Sequence, residues 1–442
     1  MTDFSHYGLA VPEILLPKKI DLEKWAVIAC DQYTQDRAYW KKAADIAGGE
    51  PSTLKVIFPE VYLGDDDRET RIAKIKETMA AYLADNVFAP AEKEFIYIER
   101  KTAYGRTRKG LIVAVDLDTY EWKPLSKAPI RATEATVPER IPPRMKIRTG
   151  APLELPHIML LVDDPKDALV GKTGELVRAT PPVYDGDLQQ KSGHITGWAV
   201  RDEKAFSHIA DALSDIAKKG TDKDGNTFLF AVGDGNHSLA TAKAVWDEHK
   251  KELLAKGASE EEIKASPVKY ALVEIVNIYD AGLTFEPIHR VIFKADAAAL
   301  LAFIAQKLDG EVTAIENAAK LEKMLAEKNT AGARYGFVST AKGKTSYTLL
   351  QTDIRDLAIA SLQPALDEFI KANTGVEIDY IHGTKETVEL GSREGQTGIL
   401  LPPIAKDSFF ATINGRGPLP RKSFSMGEAS EKRFYIEARR LF

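Results

Sequence analysis

Segments with apolar residues at helical spacing alternate along this chain with short continuous apolar runs. Apolar positions at helical spacing, such as Ile72, Ile75, Met79 and Tyr82, predict helices, and short apolar runs predict strands. The predicted helices cover residues 36–47, 65–84, 204–219, 297–308, 318–326 and 354–374. The predicted strands cover residues 94–100, 109–118, 158–162, 194–201, 270–279, 285–293, 335–339, 345–351 and 397–401. This alternation indicates an α/β to α+β fold with mixed sheets and helices.

The predicted elements group into three regions. Residues 1–128 form an N-terminal α/β region, residues 129–294 form a core, and residues 295–442 form a C-terminal α/β region that we expect to fold back on the core. Within the core, residues 129–156 are rich in proline and arginine and show little apolar periodicity. They predict a long irregular connection, and such connections in compact proteins are often functional.

Composition narrows the class of protein. The 442 residues are 44% hydrophobic and 28% charged, as in ordinary globular proteins. A net charge of −5 argues against a dedicated nucleic-acid binder, which usually has a basic surface. Cys30 is the only cysteine, so no intrachain disulfide can form. The first residues lack the layout of a signal peptide, and no apolar run reaches the roughly 18 residues of a membrane span. We therefore expect a cytoplasmic protein with no membrane partner.

The strongest concentration of chemistry is the run Gly233-Asp234-Gly235-Asn236-His237-Ser238, called the 233–238 turn below. An apolar run precedes it and a helical pattern follows it, so it predicts a strand-to-helix turn. Glycines let the backbone turn tightly, and a helix N-terminus offers N–H groups and a positive dipole end to a phosphate. Asp234 and His237 add a carboxylate and an imidazole.

Two interpretations of this turn remain open. One is a phosphate or nucleotide site, with Gly233, Gly235, Asn236 and Ser238 around the phosphates. The other is a structural turn in which Asn236 or Ser238 caps the helix. Neither a complete P-loop nor the Rossmann glycine spacing is present, so a nucleotide would be held by a different cradle.

Further candidates lie elsewhere in the chain. Arg131, Glu134 and Thr136 share one irregular stretch, where the arginine suits phosphate oxygens and the carboxylate suits a general base. The alternative for Glu134 is a solvated loop carboxylate. The dipeptide His289-Arg290 is either a strand-end pair or a phosphate-binding pair.

A third group of candidates follows a rigid proline-flanked stretch near the C-terminus. Arg421, Lys422 and Ser423 form either an anion clamp or an exposed basic tail. His157, His194 and His382 have no metal-ligand spacing, and Cys30 is interpreted as a buried or partly buried thiol.

Several motifs in the same order resemble one family, the domain of unknown function 1015. They are Pro12-Glu13-Ile14-Leu15-Leu16-Pro17-Lys18, Ala29-Cys30-Asp31-Gln32-Tyr33-Thr34, Thr133-Glu134-Ala135-Thr136, the 233–238 turn, Pro287-Ile288-His289-Arg290 and Pro420-Arg421-Lys422-Ser423. The resemblance covers nearly the whole chain. The usual family form of the central motif, Asp-Gly-His-His-Arg, is similar to the motif of the ParB/sulfiredoxin superfamily, which includes an ADP-dependent free serine kinase. The resemblance therefore implies a ParB/sulfiredoxin-like nucleotide-binding core in residues 129–294.

In those relatives the turn binds nucleotide phosphates. Asp234, Gly235 and His237 match the motif, whereas Asn236 replaces a histidine and Ser238 replaces the arginine. The lost positive charge has to come from elsewhere. Arg421 and Lys422 are the first candidates, and Arg290 is the second. The resemblance implies a nucleotide-dependent phosphotransferase that uses Mg²⁺ and a nucleoside di- or triphosphate, with Asp234 as the metal ligand.

In this hypothesis His237 donates to a phosphate and Glu134 activates a small hydroxyl-bearing metabolite, a serine-like amino acid by analogy. Two alternatives stay open. One is a hydrolase of a small phosphorylated metabolite, which product analysis with and without a nucleotide would distinguish. The other is a non-catalytic nucleotide-binding protein of the ParB type, which salt-dependent binding to DNA would favour.

Overall fold

The computed structural model describes residues 2–19, 21–327 and 331–442. The strands are β1 (Leu9–Ala10), β2 (Glu13–Ile14), β3 (Glu92–Lys93), β4 (Phe95–Thr102), β5 (Thr107–Asp116), β6 (Tyr120–Glu121), β7 (Ile130–Ala132), β8 (Leu153–Glu154), β9 (Met159–Val162), β10 (Tyr184–Asp187), β11 (Gly193–Val200), β12 (Phe230–Asp234), β13 (Tyr270–Asn277), β14 (Phe285–Pro287), β15 (His289–Phe293), β16 (Glu311–Ile315), β17 (Arg334–Ala341), β18 (Lys344–Gln351), β19 (Glu377–Ile381), β20 (Gln396–Leu400), β21 (Phe424–Met426) and β22 (Arg439–Arg440). The α-helices are α1 (Leu22–Trp25), α2 (Arg37–Ala47), α3 (Arg68–Ala84), α4 (Ile141–Arg148), α5 (Gly171–Val177), α6 (Glu203–Gly220), α7 (Asn236–Ala255), α8 (Glu260–Ala265), α9 (Ala297–Lys307), α10 (Ala318–Ala326), α11 (Ala358–Ala372), α12 (Thr384–Gly391) and α13 (Lys406–Arg416). This mixture confirms the predicted α/β to α+β class.

The chain forms two compact units. The first consists of Met1–Leu283 together with Gly427–Phe442, and the second consists of Thr284–Met426. The last sixteen residues, Gly427–Phe442, are called the C-terminal segment below, and they belong to the first unit. The three-region division at residues 128 and 294 stays a prediction.

The first unit is built on a mixed sheet of ten strands, counted among the described residues. Its order is β10-β11-β4-β5-β13-β9-β12-β7-β6, with β1 paired to β5. Strand β12 is parallel to β7 and antiparallel to β9, and β13 is parallel to β9. The carboxyl ends of β7 and β12 therefore lie at the same edge of the sheet, together with the start of β9.

Apolar burial explains why these segments form their elements. Strand β9 is an apolar run that is buried on both faces, as expected for a central strand. Helix α6 buries Phe206, Ile209, Leu213 and Ile216, the face that the helical spacing predicts. Its N-cap Asp202 accepts a hydrogen bond from the backbone N–H of Ala205, which satisfies one of the orphan donors of the first turn.

Two segments differ from the sequence-based expectation. The stretch 129–156 was expected to be irregular, yet it contains strand β7 and helix α4. Two prolines occupy the first turn of α4, where proline is tolerated because those N–H groups have no partner within the helix. The expected single strand 285–293 is divided at Ile288 into β14 and β15, which pair with different sheets.

The second unit contains a six-stranded antiparallel sheet in the order β16-β18-β17-β20-β15-β19. Lys342 and Gly343, both at positive φ, make the tight hairpin between β17 and β18, as predicted. Helix α10 packs Leu321 and Leu325 onto Val338 of β17. Among the helices of the described residues, none is both long and apolar enough to cross a membrane.

Candidate functional site

The 233–238 turn joins the end of β12 to the start of α7, as the sequence predicts. Gly235 adopts a left-handed conformation with φ of +80°, and it precedes the first residue of the helix. A Cβ added at Gly235 would lie 3.1 Å from both the Cα and the Cγ1 of Ile158. Glycine is therefore needed here for its backbone angle and also for the close approach of β9.

Gly233 lies where the pairing of β12 with β9 changes register, between Val232 and Asp234. Such a bulge reorients the residues that follow it. The Asp234 side chain turns back on the chain, and its Oδ1 accepts the backbone N–H of Gly235 at 3.1 Å. Helix α7 thus begins at a glycine N-cap, without a side-chain cap.

The chain that leaves β7 is bound to this turn at two points. The backbone N–H of Thr133 donates to Asn236 Oδ1 at 3.1 Å, and the Thr133 hydroxyl donates to the carbonyl of Val232 at 2.5 Å. Four residues later, the N–H of Val137 donates to His237 Nε2 at 3.3 Å. The segment that carries Glu134 is therefore anchored to the turn on both sides.

Asn236 and His237 are thus engaged in holding this segment. The Asn236 amide nitrogen also donates to the Thr133 hydroxyl at 3.3 Å, so Asn236 acts as a clamp between β7 and α7. Because His237 Nε2 accepts a hydrogen bond, the neutral ring carries its proton on Nδ1. A donor role of His237 toward a phosphate, made through Nδ1, stays a prediction.

A lysine that the sequence analysis did not identify lies against the turn. Lys432 Nζ is 3.4 Å from Asp234 Oδ2, and both side chains are largely buried, at 12% and 18% exposure. Asp234 Oδ2 is buried and accepts no hydrogen bond from any described residue, so the ammonium is an ionic neighbour rather than a hydrogen-bond donor. Positive charge is therefore present at the turn even though Ser238 replaces the arginine of the motif.

Buried ion pairs fix the path of the C-terminal segment that carries Lys432. The next residue, Arg433, binds Glu274 of β13 at 2.8 Å and also pairs with Glu437. Glu274 in turn binds Arg108 of β5 at 3.2 Å. Burial alone would raise the pKa of Glu274, but Arg108 and Arg433 lower it overall, so the carboxylate stays charged.

A second polar cluster lies on the same segment and at the start of β9. His157 Nδ1 is 2.7 Å from the hydroxyl of Tyr435, and its Nε2 is 4.0 Å from Asp31 Oδ2. The backbone N–H of Cys30 donates to the same hydroxyl at 3.2 Å. Burial, followed by the charge of Asp31, raises the pKa of the Cys30 thiol well above its ordinary value. Cys30 is therefore a neutral thiol, and His157 is buried within this hydrogen-bonded cluster.

The remaining candidates of the first unit have other contacts. Arg131 is buried, donates from Nε to the carbonyl of Ala128 at 2.7 Å, and lies 4.4 Å over the ring of Phe228. Burial lowers the pKa of Arg131 from its ordinary value. Thr136 lies in the anchored segment, and its buried hydroxyl makes no hydrogen bond with any described residue. Roles for both residues at a phosphate stay predictions.

The other predicted residues belong to the second unit. His289 is buried, and its Nδ1 accepts the N–H of Leu401 at 3.1 Å. Burial, then the charge of Arg290, lowers the pKa of His289 to about 4. Arg290 is fully buried and donates from Nε to Gln363 at 2.7 Å. The tyrosine ring of Tyr380 lies beneath the Arg290 guanidinium, at 4.6 Å.

The C-terminal basic stretch of the second unit shares this ring. Lys422 Nζ is 4.9 Å from the centre of the Tyr380 ring, and its backbone adopts φ of +55°. Ser423 is buried, and its hydroxyl donates to the carbonyl of Pro420 at 2.5 Å. Arg421 is exposed. A phosphate-binding role for Arg421, Lys422, Ser423, His289 and Arg290 stays a prediction.

No group of three or more potential metal-ligating His, Cys, Asp or Glu side chains occurs in the part of the chain that the structure describes. Asp234 alone fits the limited role that carboxylates play for Mg²⁺ in phosphate complexes, where phosphate oxygens and waters complete the shell.

Comparisons with solved structures give distant similarities. One is to a free serine kinase in complex with AMP, at 12% identity and a TM-score of 0.35, covering 74% of this chain and 90% of that chain. A second is to a conserved hypothetical protein from Pyrococcus furiosus, at 13% identity and a TM-score of 0.34, covering 75% and 97%. A third is to C-terminally truncated SbnI from Staphylococcus aureus, at 9% identity and a TM-score of 0.33, covering 74% and 82%. The ligands in those complexes are properties of those proteins and are not assigned to this chain by the similarity.

A comparison with curated proteins finds no match. The family model described as protein of unknown function DUF1015 matches residues 14–369, which is most of the chain. It includes the 233–238 turn and the segment anchored to it. The chain therefore belongs to the DUF1015 family.

Proposed function

We propose that this protein is a nucleotide-dependent phosphotransferase that acts on a small hydroxyl-bearing metabolite. The observation that carries the proposal is the start of α7, which follows a left-handed glycine, has no side-chain cap and lies beside the largely buried Asp234–Lys432 pair. Backbone N–H groups at a helix start together with a nearby ammonium form a site for phosphate oxygens.

Lys432 supplies the charge that phosphates require. In this proposal the ammonium moves from Asp234 to a phosphate oxygen when the nucleotide binds, and lysine suits this because it is a flexible point charge. Ser238 and the other residues of the 233–238 turn contribute short side chains and backbone donors. In this proposal Lys432 takes the place of the arginine of the family motif as the source of positive charge, and the ligand is still a nucleotide phosphate.

Mg²⁺ would be held by Asp234 and by the phosphates of the nucleotide, and it would neutralise charge on the transferring group. Glu134 lies in the segment anchored by Thr133 and Val137, and in this proposal it accepts the proton of the attacking hydroxyl. The serine-like acceptor rests on the resemblance to the free serine kinase motif. Phosphoryl transfer needs mainly positioning and charge neutralisation, which these few groups can provide.

The test is nucleotide binding by calorimetry with ADP and ATP, with and without Mg²⁺. Lys432→Met should weaken binding roughly tenfold or more, because a hydrogen bond to a charged group contributes about 1.5–3 kcal/mol. Lys432→Arg keeps the charge and should retain most of the affinity. The control is Lys219→Met, which removes a lysine from a more exposed pair with Asp163 of the same unit.

Product analysis then separates the classes of reaction. With a labelled nucleotide and L-serine, a phosphotransferase forms a labelled phosphorylated acceptor, whereas a hydrolase releases inorganic phosphate. If neither nucleotide binds the parent protein, or if Lys432→Met binds as tightly as Lys219→Met, the proposed function is wrong.

A further inference from the structure

One buried guanidinium of the first unit lacks an ionic partner. Arg100, on β4, is 1% exposed, and its Nη2 donates to the carbonyl of Ser430 at 3.1 Å. The guanidinium also lies 5.1 Å from the centre of the Phe434 ring. Its Nε and Nη1 are buried and make no hydrogen bond with any described residue. Buried polar donors are rarely left without a partner, so these two nitrogens point to a ligand or an ordered solvent molecule.

The neighbouring carboxylates are already engaged with other arginines. Glu274 binds Arg108 and Arg433, Glu437 binds Arg433, and Glu431 binds Arg106 at 2.7 Å. Over residues 2–19, 21–327 and 331–442, no carboxylate lies within ion-pair distance of Arg100. The cluster therefore contains four guanidinium groups and three carboxylates, and one positive charge is in excess.

The excess charge has an energetic consequence. Burial, then the charge of Arg108, lowers the pKa of Arg100 to about 9. An unpaired charge in a buried setting is costly, and an anion that binds there offsets the cost. A monoanion balances the cluster, whereas a phosphate dianion would leave it with an excess negative charge.

A second buried polar group of the first unit, the hydroxyl of Tyr39, makes no hydrogen bond with any described residue. Burial, then the neighbouring Tyr33, raises the pKa of Tyr39 although the charge of Arg100 opposes them, so the hydroxyl keeps its proton and can donate it. The Tyr39 ring is stacked on that of Tyr33, with 3.8 Å between the centroids. Tyr33 has a φ of +51°, which is strained for a tyrosine.

The C-terminal segment links Arg100 to the 233–238 turn. Ser430, the acceptor for Arg100, is two residues before Lys432, the ionic neighbour of Asp234. Two residues of extended chain span at most about 7 Å. Arg100 and Asp234 are therefore both contacted by residues of the same short stretch of the C-terminal segment.

We propose that Arg100 and Tyr39 bind the carboxylate of a small metabolite, the hydroxyl-bearing acceptor of the proposed phosphotransferase. The guanidinium donates through Nη1 and the phenol donates its O–H to the carboxylate oxygens. Binding of a carboxylate at this site does not depend on the proposed function. Only the assignment of that carboxylate to the phosphoryl acceptor rests on it. The site therefore selects hydroxy acids and amino acids over neutral alcohols.

The experiment is thermal unfolding of the full chain with L-serine, L-homoserine, D-glycerate or L-lactate, each compared with serinamide, sodium chloride and inorganic phosphate. A carboxylate that binds should raise the melting temperature of the parent in a saturable way, and serinamide should not. The variants are Arg100→Met and Tyr39→Phe, and each should weaken the carboxylate at least tenfold. Tyr120→Phe is the matched control, because it also removes a buried hydroxyl that has no described partner.

The melting temperature of variants without ligand distinguishes a binding role of Arg100 from a structural role. If Arg100 is held for an anion, Arg100→Met without ligand melts no lower than the parent, since it removes an unbalanced buried charge. Arg108→Met leaves Glu274 short of a partner and should melt clearly lower. If Arg100→Met does not fold, Arg100 is structural, and Tyr39→Phe, which leaves the Arg100 charge in place, then decides whether a carboxylate binds beside it.

Several results would overturn the proposal. In one, no carboxylate stabilises the parent more than it stabilises Tyr39→Phe. In another, chloride or phosphate acts as well as the carboxylates do, which would assign the charge to a simple ion. ADP should bind Arg100→Met and Tyr39→Phe with the parent affinity, so a failure of nucleotide binding in the parent counts against the proposed function alone.

Discussion

Replacement of Gly235 by alanine tests whether the 233–238 turn needs glycine for two separate reasons. The first is the backbone angle, because φ is +80° and a residue with a Cβ is strained there. The second is space, because the added Cβ would lie 3.1 Å from the Ile158 backbone at the start of β9. Backbone cannot rotate out of the way as a flexible side chain can, so the turn or β9 has to shift.

The two contributions can be estimated separately. The left-handed angle costs about 1–2 kcal/mol for a non-glycine residue, offset by about 0.4–1 kcal/mol because alanine restricts the unfolded chain. Overpacking against Ile158 adds about 1–3 kcal/mol. We therefore expect Gly235→Ala to lower the free energy of unfolding by about 2–4 kcal/mol.

The first unit contains a matched control. Gly225 has φ of +83°, close to that of Gly235, but a Cβ added there meets no atom within 4 Å. Gly225→Ala should therefore show the cost of the angle alone, about 1 kcal/mol or less. The difference between the two variants measures the contact with Ile158.

Urea unfolding followed by tryptophan fluorescence is the appropriate assay. The protein has 5 tryptophans, at positions 25, 40, 122, 198 and 246, and all of them lie in the first unit. The signal therefore reports on the unit that contains both glycines. Equal losses in Gly235→Ala and Gly225→Ala would refute the reasoning from close packing, and an unchanged nucleotide affinity in Gly235→Ala would separate the turn from the ligand.

Three further predictions concern the buried side chains of Arg433, His289 and Cys30. Arg433→Met should lower the free energy of unfolding by about 3–5 kcal/mol in the same urea assay, because it leaves Glu274 and Glu437 buried with fewer partners. Because the pKa of His289 is about 4 in the folded protein against an ordinary 6.5, only the unfolded chain takes up this proton between those values. The second unit should therefore lose up to about 3 kcal/mol as the pH falls through this window, and His289→Gln should flatten that dependence in hydrogen exchange of peptides from Thr284–Met426. Cys30 should react with iodoacetamide at pH 8 far more slowly in the native protein than in urea, because burial raises the pKa of its thiol.

Elements with a clear apolar period could be predicted from the sequence. Helix α10 matches its predicted bounds, and α2, α6 and α9 match within one residue. Helix α4 was missed because its prolines and charges hide the apolar period, although prolines in a first turn are compatible with a helix. The division of residues 285–293 was missed because both halves are apolar, and nothing local indicates that they join different sheets.

In the candidate site, too, the contiguous part could be predicted from the sequence and the contacts between distant residues could not. The strand, the left-handed glycine and the helix start are contiguous, so their pattern is visible in one short stretch. The partners of that turn come from far along the chain: Thr133 and Val137 reach it through the parallel pairing of β7 with β12. This pairing depends on which strands become neighbours, which apolar patterns do not specify.

Lys432 shows this difference most clearly, because it brings to the turn a positive charge that the motif itself lacks. The three predicted sources of that charge, Arg421, Lys422 and Arg290, all belong to the second unit. The lysine found at Asp234 belongs to a segment that in the sequence resembles an exposed charged tail, with Glu428, Glu431, Arg433 and Glu437 around it. Glu431, Arg433 and Glu437 are instead buried: Glu431 pairs with Arg106, and Arg433 pairs with Glu274 and Glu437, so these pairs fix the position of the segment along the sheet. A run of charged residues becomes buried and structural when residues of opposite charge lie on strands far earlier in the sequence, as Arg106 and Glu274 do here. The same ion pairs that position Lys432 leave Arg100 as the one guanidinium of this cluster without a carboxylate partner among the described residues.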